Sequence, residues 1–199
     1  MKRCFLCFIA SFTLWHDAPV QSSPAYSHTS THQRVLRDIR HINFQNFTYH
    51  TGGENVRVKN GRGVYESDGQ ETFSYSIEKV TVAYGDLTND GADEAAVTLY
   101  YTGGGTGAFS KGFVFTLRDG RLSLIATFEG GDRADGGIRE VRIKDGLLWV
   151  QRNEPERMKD IPVGLCCPQY LITTKYQWDG KRLNQVGTPE KIEAPDKTL

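Results

Sequence analysis

The stretch "GDLTNDGADEAAV", residues 85–97, places oxygen-bearing side chains at alternate positions of one short segment. Asp86, Thr88 and Asp90 are two residues apart, and Gly91 follows where a sharp turn would need it. Calcium binds about six to eight oxygen atoms, and alternate positions of a tight loop direct side chains inward. The spacing therefore suits a cation site. It also suits a turn between two strands held by Asx hydrogen bonds, and both interpretations stay open.

The same stretch resembles the calcium loop "GDxNGDGxxD" of FG-GAP and VCBS-type repeats, found in integrin-like propellers and bacterial surface proteins. The resemblance covers one loop and implies four calcium ligands, which are Asp86, Thr88, Asp90 and Glu94. Thr88 stands where the family has Asp or Asn, and the family repeats its loop whereas this chain has it once. Val97 replaces the bidentate Glu of an EF-hand, which excludes that motif. A calcium ion held here would brace the fold.

Two glycine-rich stretches, "YYTGGGTGAFSKG" and "FEGGDRADGGIRE", predict long loops at 103–110 and 130–137. Glycines let backbone N–H groups approach a ligand closely, and long ordered loops often carry function. The first stretch lacks the spacing of a phosphate-binding P-loop and precedes a strand. The alternative is that both are surface loops, with Arg133 paired to a neighbouring aspartate. The predicted ligand-binding residues are Gly104, Thr106, Ser110, Asp132, Arg133 and Asp135.

Few residues suit enzyme chemistry, because no histidine follows His50. A Ser-His-Asp or Cys-His arrangement, or a zinc site with several histidines, would depend on His41 or His50. A glycosidase needs two opposed carboxylates. The chain therefore looks non-enzymatic, and the alternative is a glycan or ester hydrolase that uses carboxylates near the 130–140 loop. The available carboxylates are Asp132, Asp135, Glu140 and Glu154.

The N-terminus has the pattern of an export signal. A basic "MKR" precedes the apolar "CFLCFIASFTLW", and small residues follow, so cleavage is predicted near Ala25, with Ser22 as second choice. A buried helix or an uncleaved anchor is the alternative. Export to the periplasm or beyond the cell would leave two cysteines, Cys166 and Cys167, in an oxidising compartment. There they would form a strained disulfide between adjacent residues, which would act as a turn lock, a redox switch or a rigid ligand platform.

The composition fits one globular domain with tails. The chain has 199 residues, with 24 basic and 24 acidic side chains. A net charge of zero argues against a nucleic-acid partner, and no segment after the signal could span a membrane. The predicted organisation is a signal peptide over 1–25, a flexible tail over 26–33, a β-rich domain over 34–190 and a C-terminal tail over 191–199.

Hairpin signals dominate the predicted domain. Alternating apolar runs flank four dipeptides that favour type I′ turns, which are Asn60-Gly61, Asp119-Gly120, Asp145-Gly146 and Asp179-Gly180. The apolar phase slips at Glu78-Lys79, which predicts a β-bulge, and "EAAVTLYY" predicts a central strand. Helical spacing predicts a short helix over residues 33–42, after which Phe44, Phe47 and Tyr49 enter the core. The expected fold is mainly β, an antiparallel meander of hairpins curled into a barrel or sandwich, with that one helix.

The stretches "FQNFTY", "YGDLTNDGADEAAV", "GGTGAFS", "GGDRADGGI", "CCP" and "YQWDGKRL" together resemble a family of uncharacterised exported bacterial proteins. The resemblance covers about residues 36–187 and implies export and a shared fold, without an activity. The expected function is thus that of an exported β domain. It would bind an unidentified small ligand or protein partner through its glycine-rich loops.

Overall fold

Thirteen β-strands and one short 3-10 helix form the part of the chain that the computed structural model describes. The described residues are 37–50, 55–66, 74–103, 108–132, 136–154, 156–158, 161–163 and 169–195. The predicted signal peptide and N-terminal tail lie outside them. The strands are β1 (Thr48–His50), β2 (Asn55–Arg57), β3 (Gly63–Glu66), β4 (Ser74–Gly85), β5 (Glu94–Gly103), β6 (Ala108–Arg118), β7 (Arg121–Asp132), β8 (Ile138–Lys144), β9 (Leu147–Glu154), β10 (Glu156–Met158), β11 (Ile161–Val163), β12 (Tyr170–Trp178) and β13 (Leu183–Glu193).

Three of the four predicted tight turns have the backbone that a type I′ turn requires. Asn60, Asp119 and Asp145 have φ values of 51°, 51° and 55°, and the glycine after each also has positive φ. The turn predicted at Asp179-Gly180 is instead a four-residue connection, because β12 ends at Trp178 and β13 begins at Leu183. The Asp179 carboxylate accepts the backbone N–H groups of Lys181 and Arg182 and so holds this longer connection, in which Gly180 has a φ of 94°.

An antiparallel five-stranded sheet, in the order β3-β4-β5-β6-β7, forms the centre of the fold. β5 is the middle strand, as the run "EAAVTLYY" predicted, and residues 94–99 are buried on both faces. The β4–β5 register shifts between Ile77 and Lys79, which confirms the bulge predicted from the slip of apolar phase. Local periodicity thus located both the strand and its irregularity.

The N-terminal segment covers one face of the five-stranded sheet. Phe44 and Tyr49 are buried against Phe113 and Phe115, which confirms that the aromatic run enters the core. The Tyr49 hydroxyl donates to the Phe44 carbonyl at 2.6 Å, and burial raises the pKa of Tyr49. Gln45 Nε2 also donates to the carbonyl of Val80 at 2.9 Å. Aromatic packing and these hydrogen bonds together fix the segment on the sheet.

A four-stranded sheet, in the order β13-β12-β9-β8, covers the opposite face. Ala96 and Val114 of the first sheet join Ile143, Leu148 and Val150 of the second in one buried cluster. The prediction of a mainly antiparallel β fold is confirmed, and the facing sheets correspond to the expected sandwich. The last strand extends to Glu193, three residues into the segment predicted as a C-terminal tail.

The predicted helix is much shorter than expected. A single 3-10 turn, Ile39–His41, stands within the range predicted for the helix, and residues 33–36 lie outside the described part of the chain. Asp38, in an extended conformation, caps this turn by accepting the N–H of Arg40. A helix shorter than about 12 residues gains little stability on its own, and burial of Ile39 against the sheet decides the local structure. Among the described residues, no helix combines the length and apolar character needed to cross a membrane.

Candidate functional site

The loop that joins β4 to β5, named here the Asp86 loop (residues 86–93), is closed by its own carboxylates. Asp86 accepts the N–H of Asp90 at Oδ1 and the N–H of Gly91 at Oδ2, at 3.2 and 2.9 Å. Asp90 Oδ1 accepts the N–H of Ala92 at 2.8 Å. Gly91 has a φ of +86°, which supplies the sharp turn. These bonds are those of the Asx-held turn between two strands.

Glu94, at the start of β5, turns its side chain into the protein and is 0% exposed. Its Oε2 accepts the N–H groups of Leu87 and Thr88, both at 2.9 Å, and its Oε1 accepts the hydroxyl of Thr116 at 2.8 Å. Burial raises the pKa of Glu94, and the three hydrogen bonds oppose that rise because they favour the carboxylate. The side chain therefore ties the Asp86 loop to β6.

Most of the carboxylate oxygens that the resemblance implied as calcium ligands accept hydrogen bonds within the protein. Both oxygens of Asp86 and both of Glu94 have donors, and Thr88 Oγ1 is buried without a hydrogen-bond partner among the described residues. An ionised carboxylate has about four lone-pair sites, so these hydrogen bonds neither require nor exclude a cation at the same oxygens. Nowhere in the described ranges do three or more His, Cys, Asp or Glu side chains form a group able to hold a metal. Calcium binding at Asp86, Thr88, Asp90 and Glu94 stays a prediction.

The interpretation of the loop as an Asx-held turn predicts the same melting temperature in excess calcium chloride as in EDTA. In that interpretation the Asp86 loop is closed by hydrogen bonds from its own backbone, so its conformation does not require a cation. Thermal melting followed by circular dichroism measures this, with magnesium chloride as the control for ionic strength. A rise specific to calcium would show that the folded state binds the ion and would contradict the expectation.

The two glycine-rich stretches meet at the opposite end of the same strands. β5 ends at Gly103 and β6 begins at Ala108, and Phe109 of β6 pairs with Asp132, the last residue of β7. The loops predicted at 103–110 and 130–137 are therefore shorter than expected, because strand pairing includes Ala108–Ser110 and Gly130–Asp132. Position 130 of β7 requires glycine, because a Cβ there would collide with Ser110 Oγ and with the side chain of Ile138.

Ser110 and Asn153 anchor the connection between β7 and β8, which links the two sheets. Ser110, only 3% exposed, accepts the N–H of Ile138 at 2.9 Å. Asn153 donates from Nδ2 to the carbonyl of Gly136 at 3.0 Å, and from its backbone N to that of Gly137 at 3.1 Å. Ser110 thus holds the connection through the first residue of β8. Sequence analysis missed Asn153, because no local signal links it to glycines about sixteen positions earlier.

Most of the other predicted site residues fall outside the described part of the chain. This applies to Gly104, Thr106, Arg133 and Asp135, and to the cysteine pair Cys166 and Cys167. The backbone of Asp132 closes β7. Of the carboxylates considered for a hydrolase, Glu140 is exposed on β8 and forms an ion pair with Arg142 at 3.4 Å. No described contact brings Glu140 opposite a second carboxylate, so the hydrolase alternative gains no support.

The fold and its loops define an antiparallel, sandwich-like β domain with a carboxylate-closed loop at one end and glycine-rich connections at the other. Comparisons of the chain with protein-family models, with curated proteins and with solved structures gave no match. Inference about function therefore depends on the geometry of the chain itself.

Proposed function

We propose that the protein is an exported, non-enzymatic β domain that binds a small ligand or a protein partner at its glycine-rich end. The observation that supports this proposal is the strand register. Thr102 pairs with Ala108 and Phe109 pairs with Asp132, so both glycine-rich connections begin or end beside the start of β6. Two connections that are distant in sequence share one edge of the fold, as the loops of a binding site do.

The framework next to these connections is joined by hydrogen bonds and an ion pair, which suits binding. Ser110 and Asn153 hold the end of the β7–β8 connection that leads into β8. Arg152 donates to the carbonyl of Glu129 at 2.8 Å, and the Glu129 carboxylate forms an ion pair with Lys111 at 2.9 Å. A prearranged framework lowers the entropy lost when a ligand orders a loop. Asp132, Arg133 and Asp135 supply the charged groups that would give such a site its specificity.

Simultaneous replacement of Asp132, Arg133 and Asp135 by Ala is expected to abolish recovery of the binding partner from a cell-envelope extract. The protein should keep its melting temperature, because the strand framework stays intact. The matched control is a variant with Glu140→Ala, Arg142→Ala and Asp145→Asn, which removes the same charges from an exposed region around β8 and should retain the partner. Equal recovery by the wild type and both variants would remove the proposal.

A further inference from the structure

A cleft of about 500 Å³ opens at the other end of the sheets, beside the Asp86 loop. The cleft is lined by Thr88 and Asp90 of that loop, by the last three residues of β6, and by residues 178–180 at the end of β12 and in the β12–β13 connection. This volume lies within the range of about 300–1,000 Å³ that is usual for small-molecule sites. The residues that decide its chemistry are Thr116, Arg118, Trp178 and Asp179.

An aromatic ring gives the cleft one apolar surface. Trp178 is partly buried, packs against the core between the two sheets and also lines the cleft. Its ring is therefore held by the fold while a part of it stays accessible. A ligand with an apolar face can lie against such a ring at little cost in side-chain entropy.

The polar groups around the ring include both donors and acceptors in fixed positions. Asp179 accepts the N–H groups of Lys181 and Arg182 and the side-chain amide of Asn184, at 2.7 to 2.9 Å. These bonds lower the pKa of Asp179 and keep it ionised. The Arg118 side chain is exposed and forms no ion pair or hydrogen bond with any other described residue. Its guanidinium group is free to donate to a ligand.

The balance of charge disfavours an ionic ligand. Asp90 and Asp179 line the cleft together with Arg118, and Arg182 lies 3.8 Å from the Asp179 carboxylate. Buried Glu94 stands directly behind Thr116, which donates to it. A ligand phosphate or carboxylate would be attracted by Arg118 but repelled by the carboxylates of Asp90 and Asp179. A hydroxyl group both donates and accepts hydrogen bonds. Several hydroxyls on one ligand can therefore accept from Arg118 and donate to the carboxylates.

We propose that this cleft binds a neutral sugar, whose C–H face lies on Trp178 and whose hydroxyls bond to Arg118, Asp90 and Asp179. The site is separate from the glycine-rich end, so it extends the proposed function and does not depend on it. Each element of the cleft comes from a different part of the chain: the Asp86 loop, the end of β6 and the β12–β13 connection.

The test is calorimetric titration with neutral trisaccharides, namely maltotriose, cellotriose and xylotriose, against trigalacturonic acid as the charged comparator. At least one neutral sugar should bind, and the charged one should bind about tenfold more weakly, which corresponds to roughly 1.4 kcal/mol. Trp178→Phe and Arg118→Gln should each lower the affinity for the neutral sugar by about tenfold. Trp149→Phe is the matched control, since Trp149 lies elsewhere, with Lys175 Nζ 4.1 Å from its ring centroid.

Absence of binding by all three neutral sugars would overturn the proposal, as would tighter binding of the charged sugar. Equal loss of affinity in Trp149→Phe and Trp178→Phe would also overturn it. If Trp178→Phe lowers the melting temperature, Arg118→Gln decides the outcome, because Arg118 is exposed and its replacement leaves the core unchanged. Loss of sugar binding there, with partner recovery at the glycine-rich end retained, separates this site from the first proposal.

Discussion

Replacement of Glu94 by Ala is expected to lower the free energy of unfolding by about 4 kcal/mol. Glu94 is fully buried, and its two carboxylate oxygens accept three hydrogen bonds, from the backbones of Leu87 and Thr88 and from the hydroxyl of Thr116. Removal of the carboxylate leaves the N–H groups of Leu87 and Thr88 and the hydroxyl of Thr116 without their acceptor at a largely buried position. A buried donor without a partner costs about 1–3 kcal/mol.

Urea denaturation followed by tryptophan fluorescence and circular dichroism measures this effect. The matched control is Glu140→Ala, which removes an exposed glutamate on β8 whose side chain is 52% accessible. Surface changes of that kind stay within about 0.5 kcal/mol. Glu94→Gln should lower the free energy of unfolding by an amount between those of the two Ala variants. Its amide keeps one acceptor oxygen but turns its N–H₂ group toward donors. Similar costs for Glu94→Ala and Glu140→Ala would show that these hydrogen bonds do not hold the loop.

Sequence predicted the features of the fold that depend on neighbouring residues. An Asn-Gly or Asp-Gly pair adopts positive φ at little cost, so the turns at Asn60, Asp119 and Asp145 follow from local chemistry. The bulge after Ile77 follows from side-chain alternation, since a strand keeps its apolar residues on one face only if an extra residue is inserted. The buried central strand follows from its apolar character on both faces.

Features that depend on distant residues were not predictable in the same way. The direction of Glu94 is one of them: the resemblance implied Glu94 as a calcium ligand, but no local pattern indicates its hydrogen bond from Thr116, twenty-two residues later. The helix predicted from the spacing of Ile39 and Ile42 reduces to one turn, because burial against the sheet outweighs local propensity. The cleft beside Trp178 likewise exists only once the β12–β13 connection lies next to the Asp86 loop.

Gly85 lies where β4 of one sheet contacts β8 of the other, and the residue that it contacts is also distant in sequence. It is the last residue of β4, and a Cβ there would be 2.7 Å from the carbonyl oxygen of Ile143 in β8 and 2.8 Å from the Cγ2 atom of that residue. Contacts this short with a backbone atom cannot be relieved by a side-chain rotation. The sheets must separate, and Leu87, Ile143 and Leu148 then lose packing in the core that they share.

Replacement of Gly85 by Ala is therefore expected to destabilise the protein by about 3 kcal/mol, the upper part of the range for overpacking a core. Gly91→Ala is the matched control: it has no atom within 4 Å of the added Cβ, and its φ of +86° costs backbone strain alone, about 1 kcal/mol. Urea denaturation of both variants separates steric collision from strain. Faster hydrogen exchange of the β8 amides in Gly85→Ala alone would locate the damage between the sheets, whereas equal destabilisation of the two variants would contradict this account of the interface.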